Sequence, residues 1–313
     1  MKTPPDFARI LSGAERMWRN APALAVNSGA PNPAETNLII TADNLAASRY
    51  LLDTISPGGG IRPRLVYMDP PFYTKMDYAA KMPDGRETAA FSDAVNQSFE
   101  DYLTDIAARI CAAHELLAAD GALWLHLDHH AVHYAKLLAD CIFGGPKHLI
   151  NEVIWQYKSG GATKKRFSRK HDTLLFYAKN PNRYTFFPLT EKSYNRGKRR
   201  YGFKGVNEYR DDEGWFTVVN MKDVWRIDMV GRTSRERTGY ATQKPVALLE
   251  RIIASCSGAG ELCVDFFGGA GTLAAAAEGL GRRWISIDQN PLAGELTAQR
   301  LTEQGATFGE IRG

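Results

Sequence analysis

The stretch CVDFFGGAGTLAAAAEGLGRRWISID, residues 263–288, decides the fold. The run Leu262–Phe267, apolar but for Asp265, predicts a buried strand, Gly268-Gly269-Ala270-Gly271 a tight turn and Thr272 the start of a helix. Trp284–Ile287 predicts a second strand, ending at Asp288. Glycines let the backbone approach a ligand closely. Asp288, 17 residues beyond Gly271, stands where an acid accepts hydrogen bonds from ribose hydroxyls. Together these residues predict a nucleoside-cofactor site of Rossmann type. The dinucleotide fingerprint G-x-G-x-x-G is not met, because Gly269-Ala270-Gly271 is followed by Thr272-Leu273-Ala274.

Working outward, apolar runs alternate with helical patterns along most of the chain. Asn37–Thr41, Leu65–Met68, Ala122–Leu127, Glu152–Tyr157 and Thr173–Ala178 read as strands. Phe7–Trp18, Phe99–Ala119, a segment ending at Phe143, and Pro245–Ser255 read as helices; in the second, Tyr102, Ile106, Ile110, Ala113 and Leu117 share a face. The pattern predicts an α/β protein, with a mostly parallel sheet covered on both faces. Residues 181–238 lose the pattern, and an irregular insert is expected over 183–238. It would divide a core of residues 37–182 and 239–313, preceded by an extension, 1–36, to which no function is assigned.

Composition narrows the class. The chain has 313 residues, 44% hydrophobic and 24% charged, as a soluble globular protein does. It holds no long apolar run and no apolar signal core near its start, so neither a membrane nor secretion is expected. Four scattered cysteines without a C-x-x-C pair fit a reducing cytosol and argue against a disulfide framework or structural zinc. Charge is unevenly spread. Residues 158–204 hold 14 Lys/Arg against two acids, Asp172 and Glu191, whereas the rest of the chain carries 25 basic and 33 acidic residues. Aromatics such as Phe167, Tyr194, Tyr201 and Phe203 interleave with this basic segment, which is the composition of a polyanion-binding surface.

A second site lies in LVYMDPPFYT, residues 65–74. The strand breaks at Asp69-Pro70-Pro71-Phe72. Two prolines remove N–H donors and leave carbonyls turned outward, Asp69 adds a carboxylate, and Phe72 adds an aromatic face. These groups suit a planar amine: acceptors for its protons and a ring against which its heterocycle stacks.

With both sites in view, the sequence resembles the DNA amino-methyltransferases, which methylate the exocyclic nitrogen of adenine or cytosine with S-adenosylmethionine. Asp69-Pro70-Pro71-Phe72 is similar to that family's (D/N/S)-P-P-(Y/F/W) catalytic motif, and Phe267–Gly271 to its F-x-G-x-G cofactor motif. Thr242-Gln243-Lys244-Pro245 is similar to the segment that precedes F-x-G-x-G. The catalytic motif comes first and a basic segment lies between, the order of the beta group; the resemblance spans roughly residues 37–300. Phe266 stands where many members have Pro.

The resemblance implies a Rossmann-like methyltransferase sheet with a small irregular target-recognition insert, and site-specific methylation of adenine N6 by base flipping and direct transfer. Asp69 and the Pro70 carbonyl would hold the amine, Pro71 would fix the loop, and Phe72 would stack on the flipped base. Asp43, Thr242, Lys244, Asp265, Phe267, Gly269, Gly271, Thr272 and Asp288 would bind S-adenosylmethionine. Lys158, Lys164, Lys165, Arg166, Arg169 and Lys170 would form a basic loop on the DNA, and Lys198, Arg199 and Arg200 of the insert would grip phosphates. Double-stranded DNA is the implied partner, and a homodimer and a cognate restriction endonuclease are compatible with the resemblance. No metal is expected: His126, Asp128, His129, His130 and His133 read as the end of a strand and the start of a helix. Cytosine-N4 or RNA-adenine methylation, glutamine methylation, an idle DNA-binding subunit and a dinucleotide oxidoreductase are the rivals. Asp69 favours adenine, since cytosine enzymes more often carry Ser at that position. Intact DPPF and F-x-G-x-G oppose the idle subunit, and no hydride-transfer site supports the oxidoreductase.

Overall fold

The computed structural model describes residues 4–55, 61–81, 87–92, 97–160, 163–231 and 233–313. Gly161, part of the expected basic loop, and residues 82–86 and 93–96 of the segment after Phe72 lie outside the described residues. Along the chain run α1 (Phe7–Arg19), β1 (Leu38–Thr41), α2 (Asn44–Ile55), β2 (Leu65–Met68), the paired β3 (Asp77–Lys81) and β4 (Glu87–Ser92), α3 (Phe99–Leu116), β5 (Ala122–Leu127) and α4 (Val132–Phe143). There follow β6 (Leu149–Gln156), β7 (His171–Ala178), β8 (Thr190–Tyr194), β9 (Glu208–Asp211), β10 (Gly214–Asn220) and β11 (Val224–Arg226). The chain ends with α5 (Val246–Cys256), β12 (Leu262–Asp265), α6 (Thr272–Gly279), β13 (Arg283–Asp288), α7 (Pro291–Glu303) and β14 (Gly309–Arg312).

Nine strands form one sheet in the order β11-β6-β7-β5-β2-β12-β13-β1-β14. Every neighbouring pair is parallel except the two that β7 makes with β5 and β6. The expected Rossmann-like, mostly parallel sheet is therefore present. Strand alternation sorts its side chains into two cores: Val66, Met68, Leu123 and Leu125 face α1–α4, while Leu65, Tyr67, Trp124 and Phe176 face α5 and α6.

The two halves wind in opposite directions from the centre. After β2 the chain passes through α3 to β5; after β12, the strand beside β2, it passes through α6 to β13 on the other side. Right-handed crossovers in opposite directions put α3 and α6 on opposite faces, leaving a crevice at the carboxyl ends of β2 and β12. Val264 pairs with Val66 and Asp265 with Tyr67, so the loops after both strands emerge side by side.

The insert differs from expectation. Residues 190–220 form a three-stranded antiparallel sheet, β8-β10-β9, not an irregular segment. Its β9–β10 turn is closed by the Asp211 side chain, which accepts hydrogen bonds from the N–H groups of Glu213 and Gly214. Exposed, charged short strands give little period-2 signal, which is why the sequence read as patternless. The expected boundary at 238 also runs too far: β11 returns to the main sheet and pairs parallel to β6, with Trp225 buried in the core. Five further elements, α2, β3, β4, α7 and β14, had no counterpart in the sequence reading. No helix among the described residues is long and apolar enough to cross a membrane.

Candidate active site

The crevice is lined on one side by the loop after β2 and on the other by the glycine turn after β12, with Tyr240, Thr242 and Lys244 closing it from the segment before α5. Asp69 leaves β2 pointing inward, with only 15% of its side chain exposed. Its Oδ2 pairs with the Lys244 ammonium, whereas its buried Oδ1 has no hydrogen-bond partner. Lys244 also lies over the Phe72 ring, 5.2 Å from its centre. The Pro70 carbonyl has no partner among the described residues, but the Pro71 carbonyl, expected to face outward, accepts a 2.7 Å hydrogen bond from the Tyr102 hydroxyl. Pro71 is thus tied to α3 and braces the loop. Just beyond it Tyr73 and Lys75 adopt positive φ angles of 62° and 59°, a conformation unfavourable to non-glycine residues and typical of functional loops.

Across the crevice the backbone turns tightly. Gly268 donates its N–H to the Ile287 carbonyl, and Gly271 closes the turn onto the Gly268 carbonyl. Gly271 sits at φ 66°, and a Cβ there would lie 2.7 Å from Thr297 Cγ2 on α7. Asp288, ending β13, accepts 2.9 Å and 2.8 Å hydrogen bonds from the N–H groups of Gly269 and Asn290. Burial raises its carboxyl above the usual range, against those two bonds. Asp265 is buried beside it; burial, helped by the charges of Asp69 and Asp288, pushes its carboxyl up to about 8, against a hydrogen bond from the Phe267 N–H. Thr272 donates to the Lys244 carbonyl, joining the two walls.

Of the residues read from sequence, Asp69, Pro70, Pro71, Phe72, Thr242, Lys244, Asp265, Phe267, Gly269, Thr272 and Asp288 all line this crevice, and Gly271 shapes it from behind. Asp43 stands apart from them. Its carboxylate accepts from the N–H groups of Leu45 and Ala46 at the start of α2 and pairs with Arg109 at 3.1 Å, outside the lining. The next residue, Asn44, lines the crevice instead: its amide donates to the Phe266 carbonyl at 2.8 Å, leaving a buried Oδ1 without a partner.

Sequence reasoning missed what lies beneath Asp69. His126, fully buried on β5, places Nδ1 3.8 Å from Asp69 Oδ1 and 2.8 Å from the Tyr67 hydroxyl; Nε2 lies 3.2 Å from Asp172. Burial alone would raise Asp172, but the hydrogen bond from His126, with Lys244 and Tyr157, holds it below the usual carboxylate range. Alternation along ALWLHL was the available signal for His126, since it puts that residue on the face opposite Leu125 and Leu127. Nothing local marks Asp172. The neighbouring Asp128, His129 and His130 lie within 4.8 Å of one another, and the Asp128 carboxylate is already bonded to the His130 ring at 2.7 Å.

The basic residues divide. Lys164, Lys165, Arg166 and Arg169 are exposed around Phe167, which is 97% exposed. Arg166 and Arg169 stand near enough to the end of β5 that their charges, after burial, help lower the His129 pKa. Lys170 differs from its neighbours: its ammonium binds the Ser159 and Gly160 carbonyls and the Ser159 hydroxyl, closing the base of this finger. Lys158 is exposed 3.8 Å from Asp228. In the insert Arg199 is exposed, whereas Lys198 lies 3.8 Å from Glu213 and Arg200 3.7 Å from Glu208, both at the surface.

Comparison with known proteins agrees with this geometry. The sequence profile of a family described as DNA methylase matches residues 64–299. The type II methyltransferase M.HpaI of Haemophilus parainfluenzae is 26% identical over 247 residues, covering 79% of this chain and 70% of that relative. M.ScaI of Streptomyces caespitosus is 29% identical over 204 residues, 61% of this chain and 64% of its own length. Among solved structures, the cytosine-N4-specific PvuII DNA methyltransferase superposes with a TM-score of 0.56 at 16% identity, covering 88% of this chain and 90% of that one. The M1.HpyAVI–SAM complex does so at 0.54 and 14% identity, over 84% and 99%. With three quarters of its length inside the family's match, this chain belongs to the DNA methylase family.

Proposed function

We propose that this chain transfers a methyl group from S-adenosylmethionine to the exocyclic N6 of adenine in double-stranded DNA. The observation that carries the reading is the buried, partnerless Asp69 Oδ1 at the mouth of the crevice, beside the Phe72 ring and the Pro70 carbonyl, which has no partner among the described residues. Two acceptors and an aromatic face are what an exocyclic amine on a flipped base requires. The amine donates to both acceptors, which aims its lone pair into the crevice. Acceleration then comes from positioning and placed acceptors, with no covalent intermediate.

The rest of the crevice fits the cofactor. S-adenosylmethionine would supply an electrophilic methyl group on a cationic sulfonium, together with a nucleoside. In the lining Asp69 and the Lys244 ammonium offset one another, which leaves Asp288, and Asp265 once ionised, to favour a cation. Asp288 stands at the strand tip for ribose hydroxyls, and the unpaired Asn44 Oδ1 awaits a donor. Asp265 gives this binding a pH dependence. A cationic ligand favours the carboxylate, so below about pH 8 binding must first expel the Asp265 proton. Affinity for S-adenosylmethionine should rise by up to roughly tenfold per pH unit from pH 6 and level off above about 8. Calorimetric titration between pH 6 and 9 checks this, and Asp265→Asn should bind more weakly with a flat profile.

The basic finger at residues 163–169 stands beside the crevice and suits the phosphates that flank a flipped base. Replacing Lys164, Lys165 and Arg166 together by Ala should weaken DNA binding by roughly 10–100-fold near 0.1 M salt and flatten the log–log salt slope by about 2–3. An unchanged slope would remove the finger from the interface.

The reading is tested by incubating the protein with labelled S-adenosylmethionine and unmethylated double-stranded DNA, then separating the product nucleosides. Label in N6-methyladenine is expected, on the ground that Asp69 heads the motif. Label in N4-methylcytosine would keep the site roles and overturn the base. Label in RNA alone, or in neither nucleic acid, would overturn the proposed substrate.

A further inference from the structure

His126 is placed as a relay. It is fully buried, it lies beneath Asp69, and its two ring nitrogens face two different carboxylates. The Asp172 carboxylate on β7 takes the Nε2 side at 3.2 Å and is itself held by the Tyr157 hydroxyl at 2.9 Å. Holding Nε2–H toward Asp172 leaves Nδ1 as the accepting nitrogen, as in other carboxylate–imidazole pairs. Nδ1 meets the Tyr67 hydroxyl at 2.8 Å and, behind it, the partnerless Asp69 Oδ1 at 3.8 Å. The Phe72 and Trp155 rings pack on the imidazole, with centroids 5.7 Å and 5.4 Å away.

Resting on the methyl-transfer reading, we propose that His126, oriented by Asp172, is the proton store that serves Asp69. When the amine nitrogen attacks, the N–C bond forms as the C–S bond breaks, and the nitrogen is left cationic with one proton in excess. That proton passes to the Asp69 carboxylate. From Oδ1 it moves to His126 Nδ1 once the Tyr67 hydroxyl turns aside, regenerating the carboxylate and leaving an imidazolium between Asp69 and Asp172. When the product departs and the crevice opens, the proton returns through Asp69 to water. The balance is one proton released per methyl group transferred. Lys244, on Oδ2, keeps that oxygen occupied and makes Oδ1 the route. The charged and titratable groups that face His126 are Tyr67, Asp69 and Asp172; Tyr157 and Lys244 act on it through the two carboxylates, and Asp265 lies near Tyr67.

The test compares steady-state methyl transfer by the whole protein with that of His126→Asn and Asp172→Asn between pH 5.5 and 8.5, with cofactor affinity and thermal melting measured alongside. His126→Asn keeps a hydrogen-bonding group of similar reach but cannot store a proton. Its kcat should fall roughly 100-fold with cofactor affinity unchanged, and the shape of its kcat–pH profile should differ from that of the wild type. Asp172→Asn should fall between the two. His126→Asn with wild-type kcat and pH profile overturns the proposal. So does a loss confined to cofactor affinity and melting temperature, which would mark a structural residue. A wild-type protein that methylates no DNA overturns the underlying reading as well, so the two failures are distinguishable.

Discussion

Asp69→Ala should lower methyl transfer by at least about 10³-fold while leaving S-adenosylmethionine binding in place. Removing a preorganised charge-stabilising group from a water-poor site costs about 10²–10³ in rate, and Asp69 also orients the amine, an effect of comparable size. The change strips the crevice of its partnerless oxygen Oδ1 and of the carboxylate that neutralises Lys244. Lys244, 12% exposed, is left as a buried ammonium without its ion pair, so its charged form is disfavoured and some stability is lost. Asp69→Asn separates the contributions. It retains one carbonyl acceptor for the amine and the side-chain volume but not the charge, so it should fall between wild type and Asp69→Ala. The measurement is single-turnover transfer at saturating cofactor and DNA. An Asp69→Ala protein within tenfold of wild type would refute the assigned role.

What was legible in the sequence followed from local constraints. Leu65–Met68 and Leu262–Asp265 are fully buried strands, apolar at every position but Asp265, and each is followed by residues whose backbone chemistry is unmistakable: two prolines after one, three glycines in four residues after the other. Such signals do not depend on the rest of the chain. That these two loops share one crevice was not a local fact. It follows from the pairing of Asp265 with Tyr67, about 200 positions apart, and from α3 and α6 lying on opposite faces. The resemblance supplied that juxtaposition in advance, and the sheet order gives its physical cause.

The residues that stand elsewhere than the sequence suggested share another cause. Asp43 was an acid at a strand tip, which is where ligand-binding acids stand, but an acid before a helix serves equally well as its N-cap, and Arg109 on α3 completes its pairing. Lys170 belongs to a basic run whose members are indistinguishable by composition; only the fold shows that one of them closes the loop while its neighbours face solvent. His126 was set aside with the histidines that follow it, although alternation had already placed it on a different face. Grouping by proximity in sequence misled where grouping by face would have found the buried member.

The cofactor wall should be the least tolerant part of the molecule, and Gly271→Ala should show it. At φ 66° any side chain is strained, by about 1–2 kcal/mol for an L-residue in this region. The added Cβ would also lie 2.7 Å, 2.8 Å and 3.0 Å from Thr297 Cγ2, Oγ1 and Cβ. Because Cβ itself is among these atoms, rotation of Thr297 about χ1 brings no relief, and overpacking of this kind costs a further 1–3 kcal/mol or so. The turn has little freedom to retreat. Gly271 donates to the Gly268 carbonyl and begins α6, Gly268 is bound to β13, and the Ala270 carbonyl is held by Arg300 at 3.0 Å. The combined penalty of about 3 kcal/mol should lower the melting temperature by on the order of 5 °C. It should also weaken S-adenosylmethionine binding by at least roughly tenfold, since the N–H of Gly269, bonded to Asp288, moves with the turn. Adding Thr297→Ala to Gly271→Ala removes the two closest atoms, Cγ2 and Oγ1, but neither the 3.0 Å contact with Cβ nor the backbone strain, so the double variant should recover only part of the loss. Full recovery would show that space, not the left-handed backbone, is what requires glycine at this position; no recovery would place the penalty in the backbone and the remaining Cβ contact.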